Sequence, residues 1–393
     1  MMVRPLLLVL AGSALFFPIS TSAQKQEFVR PPYAGAYEPQ GVDERGLWME
    51  IDEFERRVQK AAIVMQSHEL TQYVQSVLCK AVGDDRCASV RVYIIKDSSL
   101  NASMYPNGMM FVHTGLLARV HSEAELAAIL GHEFGHFEKR HSLNDFRKRR
   151  TLTDISTWVA IAGSYARTPT ADIRNNLVFS YYRFSRTQES EADMISVEYI
   201  RASPYRLRAS GIWQRVIDED TALRKERGLR KRRKKHAPNL LDSHPTHIQR
   251  IEFHAEKEAE AGNSGDDAIA SYRAATAPYL KELFDPLIRD NDFGAADYVI
   301  RQRGAALGWD AQLYFLHAEL FRMRGHPRDF VTARDLFQKS LDLPDSPAES
   351  WRGLGLCAMR MGEHDAGQHA LTKYLELQPD ATDRATVKLL LGT

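Results

Sequence analysis

The chain has 393 residues, enough for two or three domains at roughly 150 residues each. Hydrophobic residues make up 44% of it and charged residues 26%, which is typical of a globular protein and excludes a disordered or fibrous chain. The 52 Lys and Arg residues balance 51 Asp and Glu residues, so no overall charge would attract nucleic acid. We expect a multidomain globular protein that does not bind nucleic acid.

The first 23 residues form a distinct N-terminal segment. Arg4 supplies a positive charge, residues 5–17 are apolar, and residues 21–23 are small, as expected of a cleavage site before Gln24. The pattern predicts a secretory signal peptide over residues 1–23, with an uncleaved anchor as the alternative. Because the apolar stretch is shorter than the roughly 20 residues that span a bilayer, we expect an exported protein with no transmembrane segment in the mature chain.

The chain has three cysteines. Cys79 and Cys87 flank a short Gly-Asp-Asp turn and are candidates for a disulfide in an oxidising compartment, with a reduced pair as the alternative. Cys357 lies in an apolar helical stretch and is expected to be a buried free thiol. None of the three has the spacing of zinc ligands.

The N-terminal third of the chain shows helical spacing of apolar residues and then alternation. Helices are predicted over residues 43–66 and 69–82, and strands over residues 89–96, 102–105 and 109–113. Asn107 and Gly108, between the last two strands, are a strong hairpin signal. The expected fold class of this part is α+β with a small β-sheet.

Beyond residue 120 the pattern is mainly helical. Ser122 and Glu125 form a capping-box signature, and a second long helix is predicted over residues 173–200. Nine of the twelve residues 224–235 are Lys or Arg, which indicates either a solvated loop or a contact with anionic head groups or substrate. Residues 261–267 have the composition of a linker. The helix that begins after Ser122 is expected to bury a stripe of apolar residues, Leu126, Ile129, Leu130 and Phe137.

The C-terminal part carries two helical pairs with matching spacing. This spacing is typical of tetratricopeptide repeats, and a weaker unit covers residues 286–307. Since each pair needs neighbours to bury its apolar face, two or three stacked units would form one domain. The residues at repeat positions are Trp351, Leu354, Gly355, Gly362, Leu371 and Pro379, preceded by Tyr314, Ala318, Gly325, Ala333 and Phe337.

The residues that point to chemistry are His132, Glu133 and His136, in an H-E-x-x-H motif. Residues four apart share one face of a helix, so both imidazoles can bind one metal ion while Glu133 is turned towards a water molecule on it. Gly131 and Gly135 each cost roughly 1 kcal/mol in a helix interior. We interpret these glycines as allowing a strand or substrate to approach the metal face. The motif indicates a metallopeptidase.

A catalytic zinc ion needs a third protein ligand. The extended zincin motif fails because Lys139 and Ser142 stand at its glycine and last histidine positions. The second long helix offers Glu189 as ligand and, four residues later, Asp193 as hydrogen-bond acceptor for a ligand histidine. Glu191 is expected to point into solvent. The alternative is that these acidic residues are only the polar surface of the helix.

Four blocks of the sequence, in this order, resemble a known family. They are NASMYPNGMMFVHTGLL, SEAELAAILGHEFGHFEKRHS, SRTQESEAD and SHPTHIQRI. The family is that of the zinc endopeptidases that include the membrane CAAX prenyl proteases and soluble periplasmic relatives, and the repeats are similar to those of its periplasmic branch. The resemblance implies one zinc ion per chain held by His132, His136 and Glu189, with Glu133 as general base and Asp193 supporting a ligand histidine.

The resemblance also implies features around the metal. Residues 109–113 would be an exposed sheet edge where substrate pairs in extended form, with a packed edge as the alternative. His244 would stabilise the oxyanion or plug the zinc position, or else only cap a helix. Arg250 would pair with a substrate carbonyl or with Asp193. Two further histidines lack ligand spacing and are treated as structural or exposed: His141 and His247.

The predicted fold class is α+β and mainly helical, in three segments. These are a signal peptide over residues 1–23, a gluzincin-like zinc metallopeptidase domain over residues 24–260, and a helical tetratricopeptide-repeat domain over residues 268–393. The predicted function is a zinc-dependent endopeptidase of the periplasm, peripheral to the outer membrane, that hydrolyses misfolded or unassembled envelope proteins. Its repeats would recruit clients or the outer-membrane assembly machinery. The alternative is an envelope chaperone or adaptor that acts through its repeats, with a regulated or silent zinc site.

Overall fold

The computed structural model describes residues 39, 41–150, 184–230 and 247–392. The predicted signal peptide, His244 and the first part of the predicted helix 173–200 lie outside these residues. The N-terminal part combines short helices with a three-stranded sheet. Its elements are α1 (Gly41–Val58), α2 (His68–Val82), α3 (Asp84–Cys87), β1 (Arg91–Ile95), β2 (Ala102–Met104), β3 (Met109–His113), α4 (Thr114–Arg119), α5 (Glu123–Glu138) and α6 (His141–Arg150).

The remaining described elements are helices. They are α7 (Arg186–Ala202), α8 (Ser210–Glu226), α9 (His247–Ala261), α10 (Ile269–Thr276), α11 (Leu280–Arg289), α12 (Phe293–Leu307), α13 (Ala311–Arg324), α14 (Pro327–Leu341), α15 (Glu349–Arg360), α16 (His364–Leu377) and α17 (Arg384–Leu391). None of the helices in the described ranges is long and apolar enough to cross a membrane. The prediction of a mainly helical protein with a small sheet is confirmed.

The strands form a mixed sheet in the order β1-β3-β2. β2 and β3 are antiparallel, with Ser103 opposite Phe111, which confirms the predicted hairpin. Gly108 in the turn has φ 87°, and a Cβ there would lie 2.4 Å from the carbonyl oxygen of Ser89, so only glycine fits. β3 also pairs in parallel with β1 and is buried throughout. The expectation of an exposed edge at residues 109–113 is therefore wrong, because β1 and β2 cover both sides of that strand.

α5 is buried along almost its whole length, not only along the predicted stripe. At its start the hydroxyl of Ser122 accepts a hydrogen bond from the backbone N–H of Glu125. The carboxylate of Glu125 accepts from the N–H of His121 instead of from that of Ser122, so the predicted capping box is only half formed. A helix surrounded by protein on all sides holds its side chains in fixed positions.

α7 packs along α5 at two glycines. A Cβ on Gly131 would lie 3.4 Å from the hydroxyl of Ser196, and a Cβ on Gly135 would lie 3.4 Å from the backbone of Ala192. The Ser196 hydroxyl also donates to the carbonyl oxygen of Ala128 at 2.7 Å. The expectation that these glycines admit a strand or substrate to the metal face is wrong. They face α7 and let the two helices lie close together.

α7 begins later than the predicted helix 173–200. Phe184 and Ser185 are not helical. Ser185 and Gln188 form a complete capping box, in which each side chain accepts a hydrogen bond from the backbone N–H of the other. Because this cap starts the helix at Arg186, Glu189 lies in the first turn, where a carboxylate is favoured by the helix dipole.

Residues 261–267, expected to be a linker, are packed against the segment that follows α7. Asp266 forms an isolated parallel bridge with Tyr205, and Arg206 donates to the carboxylate of Asp267 at 2.9 Å. Gly265 has φ 87°, and a Cβ there would lie 2.4 Å from the carbonyl oxygen of Tyr205. Glycine and short polar residues are common in tight turns as well as in flexible linkers. The composition of this segment therefore fits the tight connection that the structure has.

Of the C-terminal helices, α13 packs with α14 and α15 with α16, whereas α11 packs mainly on α4 and α12 mainly on α8. Gly353 of α15 admits the ring of Phe337 from α14, since a Cβ would lie 2.1 Å from that ring. One hydrophobic cluster runs from Val74 in the N-terminal part through Leu283 to Phe337 and Cys357. The tetratricopeptide identity of the pairs and the boundary between residues 260 and 268 stay predictions.

The three cysteines form the candidate disulfide and the buried free thiol that the sequence indicated. Cys79 at the end of α2 is joined to Cys87 at the end of α3 by a disulfide, with their Cα atoms 5.1 Å apart. Cys357 is a buried free thiol, and burial raises its pKa to about 12. A thiol that is neutral and enclosed in this way is a packing residue and not a nucleophile.

Candidate metal centre

Three side chains from two helices converge at a buried point. His132 and His136 lie one turn apart on α5, and their Nε2 atoms are 3.1 Å apart. Glu189, in the first turn of α7, places carboxylate oxygens 3.5 Å from Nε2 of His132 and 3.8 Å from Nε2 of His136. One ligand atom from each residue lies within 4.8 Å of the other two. The structure thus brings together the three residues that the sequence predicts as ligands.

The chemistry of these donors fits a catalytic zinc ion. Two imidazole nitrogens and one carboxylate oxygen are a ligand set that leaves a fourth position open for water or substrate. All three residues are buried, with at most 3% of their surface exposed. A buried carboxylate next to two close imidazoles is stabilised by a cation among them. These residues could therefore hold zinc.

The second nitrogen of His132 faces Asp193. Its Nδ1 lies 2.8 Å from Oδ1 of Asp193, which is one turn beyond Glu189 on α7. Burial opposes the ionisation of Asp193, but Arg250 and His132 outweigh it and hold the pKa of this carboxyl well below its usual range. An ionised Asp193 accepts the Nδ1 proton of His132, which leaves the Nε2 lone pair for a metal ion.

Arg250 reaches this pair from α9. Its Nη2 donates to Oδ1 of Asp193, and its guanidinium carbon lies 3.9 Å from the centre of the Trp213 ring. The sequence offered a substrate carbonyl or Asp193 as the partner of Arg250, and the structure has Asp193. His254, one turn further on α9, lies 3.6 Å from the same Oδ1 atom. Sequence reasoning missed His254 because no spacing links it to the H-E-x-x-H motif.

The second nitrogen of His136 faces another histidine. Nδ1 of His136 lies 2.8 Å from Nδ1 of His141, and Nε2 of His141 lies 3.2 Å from the carboxylate of Glu191. His141 is buried, and burial lowers the pKa of its ring despite the nearby carboxylate. Phe184 stacks on His136, with ring centres 3.9 Å apart. The Glu191 side chain is 43% exposed, as expected of a solvated residue, but it also contacts His141 and lies 3.3 Å from Lys139.

Glu133 follows His132 directly on α5 and is buried, with 6% of its surface exposed. It therefore lies next to the three converging residues without being one of them. Of the remaining predicted site residues, His244 lies outside the described ranges, as do residues 231–235 of the basic run 224–235. His247 begins α9.

β2 is the sheet strand that lies beside α5. Asn101, Ser103 and Tyr105 pair with β3, so the backbone groups of Ala102 and Met104 point to the opposite side. Across the described part of the chain, no other backbone segment pairs with that side. The sheet edge next to the metal centre is therefore β2.

Comparisons with known proteins agree with this site. Residues 65–258 match Peptidase family M48. The "Beta-barrel assembly-enhancing protease" of Yersinia pestis is 24% identical over 214 residues, which cover 51% of this chain and 41% of that protein. The human "Metalloendopeptidase OMA1, mitochondrial" is 30% identical over 173 residues, which cover 41% and 31%. The chain thus spans less than half the length of these relatives. Residues 65–258, which match peptidase family M48, contain the converging histidines and glutamate, so the match covers the candidate metal centre.

Proposed function

We propose that the protein is a zinc-dependent endopeptidase. The observation that carries this proposal is the convergence of His132, His136 and Glu189 in a buried cluster beside Glu133, within a segment that matches a peptidase family. When bound there, zinc supplies a Lewis acid for the scissile carbonyl and for a water molecule. Glu133 accepts the proton of that water and delivers it to the leaving amine.

Asp193 and Arg250 prepare His132 for its role. Asp193 accepts the Nδ1 proton at 2.8 Å and so keeps Nε2 directed at the ligand cluster. Arg250 neutralises Asp193 in turn, and its contact with Trp213 holds the guanidinium in place. We assign both residues to support of the ligand and not to contact with substrate.

Substrate binds, in this proposal, as an extended segment along β2. The outward backbone groups of Ala102 and Met104 would pair with the main chain of the substrate, which gives affinity with little dependence on side chains. This assignment replaces the central strand at residues 109–113 with the neighbouring edge strand. A main-chain contact suits clients that are unfolded, since only they expose extended segments.

We place the protein outside the cytoplasm and infer that its clients are misfolded or unassembled envelope proteins. The Cys79–Cys87 disulfide is typical of an oxidising compartment, as is the predicted signal peptide over residues 1–23. The name of the Yersinia pestis relative links that protein to β-barrel assembly. A periplasmic position, peripheral to the outer membrane, fits these observations.

The C-terminal helix pairs support a role in recruitment. Stacked helical pairs form extended concave surfaces that bind peptides or partner helices. We assign them to clients or to the outer-membrane assembly machinery. The same observation favours a second candidate, an envelope chaperone or adaptor whose zinc site is silent or is regulated by the segment that contains His244.

The test compares zinc content and proteolysis in purified variants, with a reduced and unfolded protein as substrate. We expect one zinc ion per chain in the wild type. Glu133→Gln should keep zinc and lose cleavage, because an amide takes up no proton at neutral pH. Glu189→Ala should lose both, because two histidines alone form a weaker site.

Glu198→Ala is the matched control, since Glu198 is exposed on the same helix as Glu189. It should retain zinc and cleavage at the wild-type level. Wild-type proteolysis by Glu133→Gln would contradict the endopeptidase proposal. Chaperone activity that survives in Glu133→Gln without any cleavage by the wild type would favour the adaptor.

A further inference from the structure

We propose that His141 and Glu191 are positioning residues that orient the ligand His136 through a hydrogen-bonded chain. This inference rests on the proposed function, in which His136 binds zinc. It assigns a role to two residues that spacing alone left as structural or solvated. Each ligand histidine would then have its own support, Asp193 for His132 and His141 with Glu191 for His136.

The first step is geometric. Nδ1 of His136 and Nδ1 of His141 are 2.8 Å apart, which is hydrogen-bond distance. Nε2 of His141 continues the chain to the carboxylate of Glu191 at 3.2 Å. The His141 side chain is 3% exposed, whereas that of Glu191 is 43% exposed. The chain therefore runs from the buried ligand cluster to the protein surface.

The second step is the placement of protons. A histidine that binds a metal through Nε2 carries its proton on Nδ1, so His136 donates to His141. His141 must then offer a lone pair at Nδ1 and carry its own proton on Nε2, which it donates to Glu191. Each atom of the chain has the role that its neighbour requires. A carboxylate at the far end favours this arrangement of protons, as it does for other metal-bound histidines.

The third step is how the chain reaches this geometry. α5 ends at Glu138, and Arg140 has φ 53°, which turns the backbone so that His141 starts α6 beside His136. The side-chain amide of Gln188, from the capping box of α7, donates to the backbone carbonyl of His141 at 3.5 Å. His141 is thus held by α7, the helix that also supplies Glu189, Glu191 and Asp193.

The experiment measures zinc affinity by competition with a chromophoric chelator, together with the visible spectrum of the Co²⁺-substituted protein. The variants are His141→Asn, whose side-chain oxygen can replace the Nδ1 acceptor, and His141→Gln, whose amide reaches instead towards the Nε2 position. We expect His141→Gln to bind zinc 10- to 100-fold more weakly than the wild type and to shift the Co²⁺ bands. His141→Asn keeps the Nδ1 acceptor but loses the link to Glu191, so its zinc affinity should lie between those of the wild type and His141→Gln.

The unfolding temperature of the metal-free variants separates positioning from folding. It should be equal in His141→Asn and His141→Gln, because both lose the same ring. Equal zinc affinity in the two variants, or weaker binding by His141→Asn than by His141→Gln, would overturn the inference. A wild-type protein that binds no zinc would instead overturn the proposed function itself.

Discussion

The buried carboxylate of Asp193 connects the candidate metal centre to α9. Its Oδ1 atom accepts a hydrogen bond from Arg250 and lies 2.8 Å from Nδ1 of His132. A buried cation and a buried anion that pair in this way each depend on the other, since removal of one leaves the other without compensation. The pKa of Asp193, which lies well below its usual range, expresses this dependence.

We predict that Asp193→Asn destabilises the protein by roughly 3–5 kcal/mol at neutral pH, because Arg250 then lies buried without a counter-charge. The wild-type carboxyl has a lower pKa in the folded than in the unfolded state. Its stabilising effect is therefore complete above the unfolded pKa of roughly 4 and is lost as pH falls through the folded pKa. The difference between the unfolding temperatures of wild type and variant should be largest at pH 6–8 and shrink in acid.

The measurement is a thermal unfolding series from pH 3 to 8. Glu198→Gln, an exposed change on the same helix, serves as control and should match the wild type at every pH. If the deficit of Asp193→Asn were constant over the whole pH range, the carboxylate charge would not be the source of its effect.

Contacts between single residues can be predicted from the sequence where both residues lie on one regular helix. They cannot be predicted where the backbone between the residues is irregular. His132 with His136, and Glu189 with Asp193, could be paired from the sequence because each pair is four residues apart on one helix. The contact of His136 with His141 could not, since it crosses a helix end. The left-handed backbone conformation of Arg140 creates it.

The metal centre also depends on how closely two helices approach. A Cβ on Gly135 of α5 would lie 3.4 Å from both the Cα atom of Ala192 and Cγ2 of Ile195 on α7. Atoms beyond that Cβ would overlap α7 and push it outward. Because Glu189 lies one turn before Ala192 on the same helix, its carboxylate would move away from His132 and His136.

We predict that Gly135→Val weakens zinc binding at least tenfold and destabilises the fold by roughly 1–3 kcal/mol through overpacking. Gly46→Val is the control, since a Cβ on that helical glycine meets no atom within 4 Å. It carries the same loss of helix propensity without the clash. Zinc titration and thermal unfolding of both variants check the prediction, which fails if Gly135→Val binds zinc as tightly as Gly46→Val.

The sequence predicted which segments form strands and turns, but it did not predict which elements pack against each other. Residues 109–113 form a strand with the predicted bounds, and Gly108 makes the predicted turn. The order of strands in a sheet, however, depends on which segments meet after folding, and β1 came to lie against the side of β3 that was expected to be free. For the same reason, the sequence could not show that Gly135 faces α7.

For the whole molecule, long-range contacts replace the linker that composition indicated. The hydroxyl of Tyr272 in α10 donates to the carbonyl oxygen of Leu117 in α4 at 2.6 Å. Arg303 in α12 donates to the same carbonyl at 3.3 Å and to the hydroxyl of Thr276 at 2.6 Å. Such contacts join residues that are far apart in the chain, so local sequence patterns do not predict them. They dock the C-terminal helices on residues 65–258, which we call the peptidase segment.

We predict that the peptidase segment and the C-terminal helices unfold together in one calorimetric transition, because one hydrophobic cluster contains residues of both. Arg303→Leu should lower the free energy of unfolding of this single transition by roughly 1–3 kcal/mol. It removes buried hydrogen bonds and leaves the Thr276 hydroxyl with one partner fewer. Arg301→Leu on the same helix removes only an exposed ion pair with Asp297 and should leave the transition unchanged. Were Arg303→Leu to split the transition in two, the C-terminal helices would be an independent unit, as the composition of residues 261–267 suggested.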